Sequence, residues 1–597
     1  MEQPTERVKV VINGVVYEVN RGTNLLEVFR ELGIPIRASC GGLGLCGSCK
    51  VRILRGYLNP PSESEVKLLR DLIEEGWRLA CRVRVTSDLE LEVPIPRGIE
   101  AVERIRRHIR IDPYLRIVPL GILKRTREPA VKYLERAIKD LGIEFRSIST
   151  KALGKVIRKL YYQDEITLVM TKNGHVLDIP RSDRILGVGI DLGTTTVVGS
   201  LIDLTVGNIL GTISVLNAQV KYGEDIISRI RHALSIKGFR ELREAILDTV
   251  NSLITRLTSQ IGVNSNEVYE VAIAGNTVMT SILLNIPPLT LGTVPFEPPF
   301  IGGTISKAKD LGLNVNSEAL VHTLPIIGGY IGGDVVGDIL ASGILEDKCA
   351  LLIDFGTNGE VIVKSGSRIV ATSVPSGPAF EGVGISSGMI AVEGAIESIR
   401  LDSDLNPEYE VIGGIRPKGI CGTGYVDLLS ELIRSCVINR SGRFIRENSE
   451  RIRSRNGVTE YVIEWSENTA TGGDIVITQK DIRKLQLVVA AFKVACKDLM
   501  KKLNITIEDI DRVYIAGSFG YKLNAENAME IGLLPPVELE NVIFIGNGSL
   551  RGAEIYLISN IERSKAKEIG NKVEIIDLHS SNFQRTLINE LYMSWRT

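Results

Sequence analysis

The sequence predicts a multidomain α/β protein, and three observations carry that prediction. At 597 residues the chain is too long for one hydrophobic core. Short apolar, β-branched runs alternate with helical patterns along much of it. One strand–loop–strand motif also occurs twice, at Asp191 and at Asp354, which implies two related half-domains. With 44% apolar and 24% charged residues the composition is that of a globular protein. The balance of 71 basic against 72 acidic residues gives no pull towards nucleic acid or an anionic membrane. No run of about 18 apolar residues is available to span a bilayer, and Met1 to Arg7 has no signal-peptide pattern. A cytoplasmic location is therefore expected, where cysteines serve as ligands or buried thiols rather than disulfides.

The first element is a hairpin. Arg7 to Ile12 and Val15 to Val19 flank Asn13-Gly14, two residues that tolerate the positive φ of a type I′ turn. Thr23 can cap a helix with Leu25, Leu26, Phe29 and Leu32 on one face, and Gly33 can end it. Next comes a glycine-rich loop holding Cys40, Cys46 and Cys49, with a fourth cysteine at Cys81. Such a loop can wrap a bulky group while aiming N–H donors inward. Three clustered cysteines and one distant one suit a 2Fe-2S cluster, one residue longer in the first gap than the plant-type spacing. A zinc site or four unrelated cysteines are the alternatives, but zinc favours two short pairs. Between the ligands, Ser62-x-x-Glu65 forms a capping box for a helix carrying Val66, Leu68, Leu69 and Leu72. Cys349, Cys436 and Cys496 read as buried thiols, and Cys421 lies in a glycine turn where it packs or does more. The five histidines are scattered, with no ligand spacing.

Prolines at 94 and 96 and the basic stretch Arg104 to Arg110 mark a linker over residues 96–115. A charged, solvated face is its plain meaning, and docking on a partner the sharper one. From 116 to 183 the pattern is helix (130–141), strand (143–148), helix (152–161) and strand (166–170), a small α/β middle domain with no evident chemistry.

The remaining stretch, 184–597, contains the repeat, with halves at about 184–345 and 346–597. An apolar strand delivers Asp191 to Gly193-Thr194-Thr195-Thr196, after which a second strand follows at once. Gly193 lets backbone come close, the hydroxyls can donate to phosphate oxygens, and Asp191 can hold Mg²⁺ directly or through water. The second copy runs through Asp354, Gly356, Thr357 and Asn358. A dinucleotide fingerprint does not fit the glycine spacing before Asp191, and no G-x4-G-K-[ST] sequence is present.

These two loops resemble the phosphate-1 and phosphate-2 loops of the ASKHA superfamily, the actin, sugar-kinase and chaperone ATPases, whose two ribonuclease-H-like halves clamp ATP. Gly328 to Ile339, with Asp334 near a helix start, looks like the first connecting segment. Val513 to Gly520 looks like the adenosine motif, and Val542 to Ser549 like the second connecting segment. The resemblance implies that Asp191 and Asp354 position Mg²⁺, that Gly193, Thr194, Thr195, Thr196, Gly356, Thr357 and Asn358 meet phosphates, and that Gly517, Ser518, Gly546 and Asn547 line the adenosine side. Asp334, by analogy, orients the attacking water; Asp191, Asp334 and Asp354 are thus the candidate catalytic residues.

With the cysteine module, which resembles β-grasp 2Fe-2S ferredoxins (1–95), the whole chain is similar to the reductive activators of corrinoid proteins. Gly275 to Met279, Ser376 to Gly382 and Gly419 to Gly424 carry that narrower resemblance. It implies an enzyme that uses ATP to return a Co(II) corrinoid protein to Co(I), passing electrons from a low-potential donor through a cluster on Cys40, Cys46, Cys49 and Cys81. An activator of another low-potential iron–sulfur enzyme and a nucleotide-dependent redox sensor are the rival readings. The oligomeric state is open, a homodimer being one option.

Overall fold

The computed structural model describes residues 7–32, 36, 44, 49–93, 109–122, 128–162, 165–182, 184–356, 358–377, 379–446, 449–517, 522–578 and 581–595. The N-terminal module is a five-stranded sheet in the order β2-β1-β5-β3-β4, from β1 (Arg7–Ile12), β2 (Val15–Asn20), β3 (Lys50–Arg55), β4 (Trp77–Leu79) and β5 (Leu89–Glu92). Asn13 and Gly14 both take positive φ, as the hairpin demands. The helix α1 (Leu25–Glu31) buries Leu25, Leu26 and Phe29 against this sheet. Asn24, not Thr23, receives its first turn: the Leu26 N–H donates to Asn24 Oδ1 at 3.0 Å, while the Thr23 hydroxyl donates to the Asn20 carbonyl. Gly33 lies outside the described residues. The capping box of Ser62 and Glu65 opens α2 (Glu63–Leu69), which stops early because Arg70 turns to a φ of 47°. Leu72 therefore sits in a short 3-10 turn, and Val66 faces solvent rather than the core.

A second, four-stranded sheet, order β6-β8-β9-β7, combines β6 (Leu115–Ile122), β7 (Ser147–Ile148), β8 (Glu165–Thr171) and β9 (His175–Asp178) with α3 (Ala130–Asp140) and α4 (Thr150–Tyr162). The apolar stripes of both helices, Leu134, Ile138, Val156 and Leu160, close over it. The strand expected over 143–148 shrinks to two residues, because the Ile143 N–H turns back to the Ile138 carbonyl and finishes the helix end.

The repeat is realised as two sheets of matching topology. The first has β10 (Leu186–Leu192), β11 (Thr196–Asp203), β12 (Asn208–Leu216), β13 (Val268–Gly275), β14 (Ile305–Lys307) and β15 (Leu320–Thr323), in the order β12-β11-β10-β13-β15-β14. Its helices are α5 (Ile226–His232), α6 (Ile236–Ile261), α7 (Thr277–Leu283), α8 (Ala308–Leu311) and α9 (Gly333–Ser342). The second sheet has β16 (Cys349–Phe355), β17 (Gly359–Ser365) and β18 (Arg368–Val374). Two small three-stranded sheets follow: β19 (Ala395–Leu401), β20 (Pro407–Val411) and β21 (Gly419–Ile420), then β22 (Ile452–Arg455), β23 (Val458–Glu464) and β24 (Ile475–Thr478). Between and after them run α10 (Gly422–Arg434) and α11 (Gln479–Leu503). The chain then returns through β25 (Arg512–Ala516), α12 (Ala525–Glu530), β26 (Val542–Gly546), α13 (Gly548–Ile558), α14 (Asn560–Lys572), β27 (Val573–Ile575) and α15 (Ser581–Asn589). The second order, β26-β25-β16-β17-β18-β27, repeats the first with three antiparallel strands followed by two parallel ones, β27 being added at the far edge.

Each half has its own apolar core, and a third cluster joins them, with Val335, Val336 and Ile339 of α9 against Ala553, Tyr556 and Leu557 of α13. These two helices cross backbone to backbone: a Cβ on Gly552 would fall 2.2 Å from the Gly337 Cα. Glycine at both positions is what lets the halves approach this closely. Cys349, Cys421 and Cys496 are buried, whereas Cys436, expected buried, is exposed, because it takes a φ of 51° in the turn after α10. Among the described residues no helix is long and apolar enough to cross a membrane.

Candidate functional site

Two candidate centres can be built from these elements. In the N-terminal module, Cys49 precedes β3 and Cys81 follows β4, both buried, with their Sγ atoms 3.4 Å apart. That is too far for a disulfide. Metal–thiolate bonds of about 2.3 Å place two sulfurs on one tetrahedral metal about 3.8 Å apart, so the pair fits thiolates sharing an iron. Cys40 and Cys46 lie outside the described residues. Gly44 of the same loop passes so close to Arg82 that a Cβ would fall 2.3 Å from Nε, which sets a cation beside the cysteines. The strand leading to Cys81 is fixed by a buried acid. Glu65 accepts from Arg78 Nε at 2.9 Å, from Arg78 Nη2 at 3.1 Å and from the Leu79 N–H at 3.0 Å, and these donors hold its carboxyl below the usual range despite burial.

The second centre lies between the two repeated halves. Asp191 ends β10, and Gly193 makes the turn; a Cβ there would strike the Thr196 carbonyl at 2.3 Å. Three side chains of the same half hold this loop. Arg229 of α5, fully buried, donates to the Thr194 carbonyl (2.5 Å), to Gln219 Oε1 (3.1 Å) and to the Gly223 carbonyl (2.9 Å). Burial pulls its guanidinium down to about 9. Asn217 donates to the Gly193 carbonyl at 2.9 Å and takes the Thr195 carbonyl on its own N–H. Asn276 caps α7 through its oxygen and donates from Nδ2 to the Thr194 hydroxyl at 3.1 Å. Asp191 is met by the other half: Asn547 Nδ2 donates at 2.8 Å and Ser549 Oγ at 2.9 Å. Burial raises its carboxyl, and these two donors oppose the rise.

Asn547, expected on the adenosine side, is thus turned inward, its other amide atom capping α13 at Leu550. Gly517 and Gly546 sit together at the ends of β25 and β26, joined by the Gly517 N–H to the Gly546 carbonyl at 2.9 Å. Gly517, at a φ of 89°, lies hard against the second loop, where a Cβ would come 2.6 Å from Asp354 Oδ1.

Around Asp354 the acids crowd together. Asp334, at the start of α9, accepts from the Val335 N–H at 2.9 Å, and burial followed by that bond and by Asp191 leaves its carboxyl raised to about 6. Asp354 is raised to about 7, by burial and then by the charge of Asp334. Two acids not singled out in the sequence join them, Asp338 and Glu360, both buried and both raised well above the carboxylate range by burial and by their acidic neighbours. No three Asp, Glu, His or Cys side chains among the described residues close on one point as direct metal ligands. The set fits a hydrated Mg²⁺, which keeps several waters and takes one or two carboxylates alongside phosphate oxygens.

The chain is 31% identical over 564 residues to the corrinoid activation enzyme RamQ of Eubacterium limosum, covering 91% of this chain and 92% of that one. It belongs to the reductive activators of corrinoid proteins. A solved reductive activator for a corrinoid, iron–sulfur protein superposes with a TM-score of 0.74 at 32% identity, covering 98% of both chains. The Co(II) methylated amine-specific corrinoid protein reductase of Methanosarcina barkeri is 25% identical over 418 residues, 65% of this chain and 72% of its own. Family models match in three spans: the 2Fe-2S iron–sulfur cluster binding domain at 9–86, the RACo middle region at 186–347 and the C-terminal ASKHA domain of RACo at 348–596. The activator is therefore a multidomain α/β protein with a 2Fe-2S domain ahead of an ASKHA domain.

Two further residues of this activator's expected nucleotide site, Thr357 and Ser518, lie outside the described residues, while Gly356 and Asn358 flank the first of them on the second loop. Sequence reasoning passed over Asp338, Glu360, Arg229 as a loop clamp and Ser549. The first two carried a signal, an acid four residues after Asp334 and another six after Asp354, each within reach of its neighbour in a helix or a hairpin.

Proposed function

We propose that this chain is an ATP-dependent activator that passes electrons from a low-potential donor, through a 2Fe-2S cluster held by Cys40, Cys46, Cys49 and Cys81, to a Co(II) corrinoid protein, which leaves as Co(I). The observation that carries the reading is one chain in which paired, buried thiols and a duplicated Asp-Gly cleft occur together, along the full length of relatives named for corrinoid activation. A 2Fe-2S cluster supplies one-electron transfer at a potential set by its ligands and surroundings. The chain's own residues do the rest. Arg82 places a positive charge beside the cysteine loop, and the Glu65–Arg78 pair fixes the approach to Cys81.

In the cleft, Asp191 and Asp354 position a hydrated Mg²⁺, while Gly193, Thr194, Thr195, Thr196, Gly356, Thr357 and Asn358 take the phosphates. Gly517, Ser518 and Gly546 face the adenosine. Asp334 orients the attacking water, a role suited to a carboxyl raised to about 6, close to the working pH. Closure of the halves over nucleotide favours a complex in which cobalt is easier to reduce, and hydrolysis releases it. The working division is 1–95, a linker at 96–115, 116–183 and 184–597, supported by their separate sheets. The reaction belongs in the cytoplasm, and a homodimer is compatible with it.

The test is anaerobic. Reduced protein is mixed with a Co(II) corrinoid protein, and Co(I) absorbance is followed with and without Mg-ATP. Co(I) that forms with ATP and is lost in Cys46→Ser is the expected result. ATP hydrolysis with an intact cluster and no Co(I) overturns the reading.

A further inference from the structure

Charge on the N-terminal module is sorted along the chain. Between Glu31 and Glu63 the sequence has no acid, and between Glu75 and Asp88 it again has none, yet these two stretches carry seven basic residues and all four cysteines of the module. Over the whole chain acids and bases are nearly equal, 72 against 71, so the sorting is local. Three of the seven bases are answered within the sheet. Arg78 pairs with buried Glu65, Arg55 lies 3.7 Å from Glu90, and Arg52 stands across from Glu92 of β5. Arg37 lies outside the described residues.

The remaining three bracket the thiols. Lys50 follows Cys49 directly and is exposed, level with Leu79 across the β3–β4 pair, where the Ala80 N–H donates to the Cys49 carbonyl at 2.8 Å. Arg82 follows Cys81, and its guanidinium lies over Gly44 of the cysteine loop. Arg84, also exposed, donates from Nη1 to the Gly22 carbonyl at 3.1 Å, beside Asn24, whose amide donates to the Cys81 carbonyl at 3.0 Å. Neither Lys50 nor Arg84 has a carboxylate at ion-pair distance among the described residues. The acids gather at another end, at Glu63, Asp71, Glu74 and Glu75. That end lies against the ASKHA domain, where a Cβ on Gly472 would fall 3.1 Å from Glu75 Oε1.

A cluster held by four thiolates is itself an anion, and half-buried Arg82 is placed to offset it. Exposed charges such as Lys50 and Arg84 add little to stability through water and much to the encounter rate of an oppositely charged partner. We propose that Lys50 and Arg84, with Arg82, form the docking surface for the electron donor, and that the donor is a small carrier protein whose cofactor edge is ringed by carboxylates. Electron-transfer encounters use small, weak interfaces, which suits a carrier that must leave before the corrinoid protein takes the same cluster. The step is one electron: the carrier is oxidised, the cluster is reduced, and no bond forms or breaks. The proposal rests on the reading of the four cysteines as a 2Fe-2S site.

Reduced flavodoxin, an acidic protein carrying FMN hydroquinone, is the probe. It is mixed anaerobically with the oxidised full-length holoprotein, and bleaching of the cluster is followed at ionic strengths from about 0.01 to 0.5 M. The rate should fall about tenfold or more over that range. At low salt it should fall by a similar factor in Lys50→Glu and in Arg84→Glu, and hold in Lys67→Glu, which makes the same charge change on exposed α2. A rate indifferent to salt, no reduction at low salt, or equal slowing in Lys67→Glu overturns the docking surface. The unaltered protein gives a second reading without any substitution: salt should slow reoxidation of its reduced cluster by the cobalt(III)–EDTA anion and speed reoxidation by the hexaamminecobalt(III) cation, and the opposite signs overturn the proposal. Pre-reduced Lys50→Glu and Arg84→Glu should still form Co(I) with Mg-ATP at the unaltered rate; slowing as large as that of the donor step assigns the surface to the corrinoid protein instead and overturns the donor. Absence of a 2Fe-2S visible spectrum in the unaltered protein overturns the cluster reading itself.

Discussion

The two copies of the strand–loop–strand motif occupy equivalent places in equivalent sheets, yet their chemistry is opposite. In the first, Asp191 lies across from Val198, and the helix that faces it, α13, offers Asn547 and Ser549 as donors. In the second, Asp354 lies across from Glu360, and the facing helix, α9, offers Asp334 and Asp338. Ser549 and Asp334 are each the second residue of their helix, so one fold position holds a donor in one copy and an acid in the other. A motif with its hydrogen bonds made is preorganised, and its ligand meets a finished surface. A motif of crowded, buried acids instead has its carboxyls raised, so that they keep protons an exposed acid would release. The duplication thus yields one half whose loop acid is held by neutral donors and one whose loop acid is crowded by other acids.

That contrast can be broken from either side. Asp191→Ala removes the acid of the finished copy and should lower ATP hydrolysis by about 10²–10³-fold, the scale of losing one preorganised polar group in an active site; a steady-state assay that finds hydrolysis intact sinks the assignment of the first loop. Arg229→Met deletes the clamp and strands the Thr194 and Gly223 carbonyls and the Gln219 amide. It should cost about 3 kcal/mol in urea denaturation. Asn276→Ala removes both a helix cap and the bond to the Thr194 hydroxyl, at about 1–2 kcal/mol.

The gentlest test is a slope. With folded-state values of about 6 for Asp334 and about 7 for Asp354, the native cleft keeps protons that an unfolded chain, titrating near 3.8, has released. Folding stability from this cluster is fully present below pH about 4 and is lost as pH rises through about 6 to 7. Urea midpoints of the metal-free protein should therefore decline across that window. The decline should be shallower in Asp338→Asn, which removes one of the raised carboxyls, and an unchanged slope would contradict the crowding.

Much of this was legible in the chain alone because its signals are local. The Asn13-Gly14 hairpin, the Ser62–Glu65 capping box and the two Asp-x-Gly loops each announce themselves within a few residues, and their order identifies the halves. Local pattern also misleads where the backbone turns unexpectedly. Val66 and Cys436 look apolar enough for a core, but a helix that stops at Arg70 and a left-handed residue after α10 leave them exposed. The expected strand at 143–146 loses to a helix end that claims its first N–H. What the sequence could not convey is which distant side chains meet. Arg229 reads as an ordinary basic residue on an amphipathic helix, and only the packing of α5 beneath the first loop turns it into a clamp. Asn547 reads as part of a glycine turn near adenosine, and the crossing of α9 and α13 sends its amide to Asp191 instead.

The bonds from Asn547 and Ser549 to Asp191 span 356 and 358 residues of sequence. At a synthesis rate of about 5–20 residues per second, the first loop waits about 20–70 s on the ribosome for the donors that complete it. Its clamps, Asn217, Arg229 and Asn276, are all made within the first quarter of that wait. A nascent chain can therefore shape its first phosphate loop early, while the acid at the loop's base stays unsatisfied until nearly the last segment is translated. A truncated product ending before α13 would carry a clamped loop around an acid that lacks its two donors, so the C-terminal region is what completes the first Asp-Gly loop.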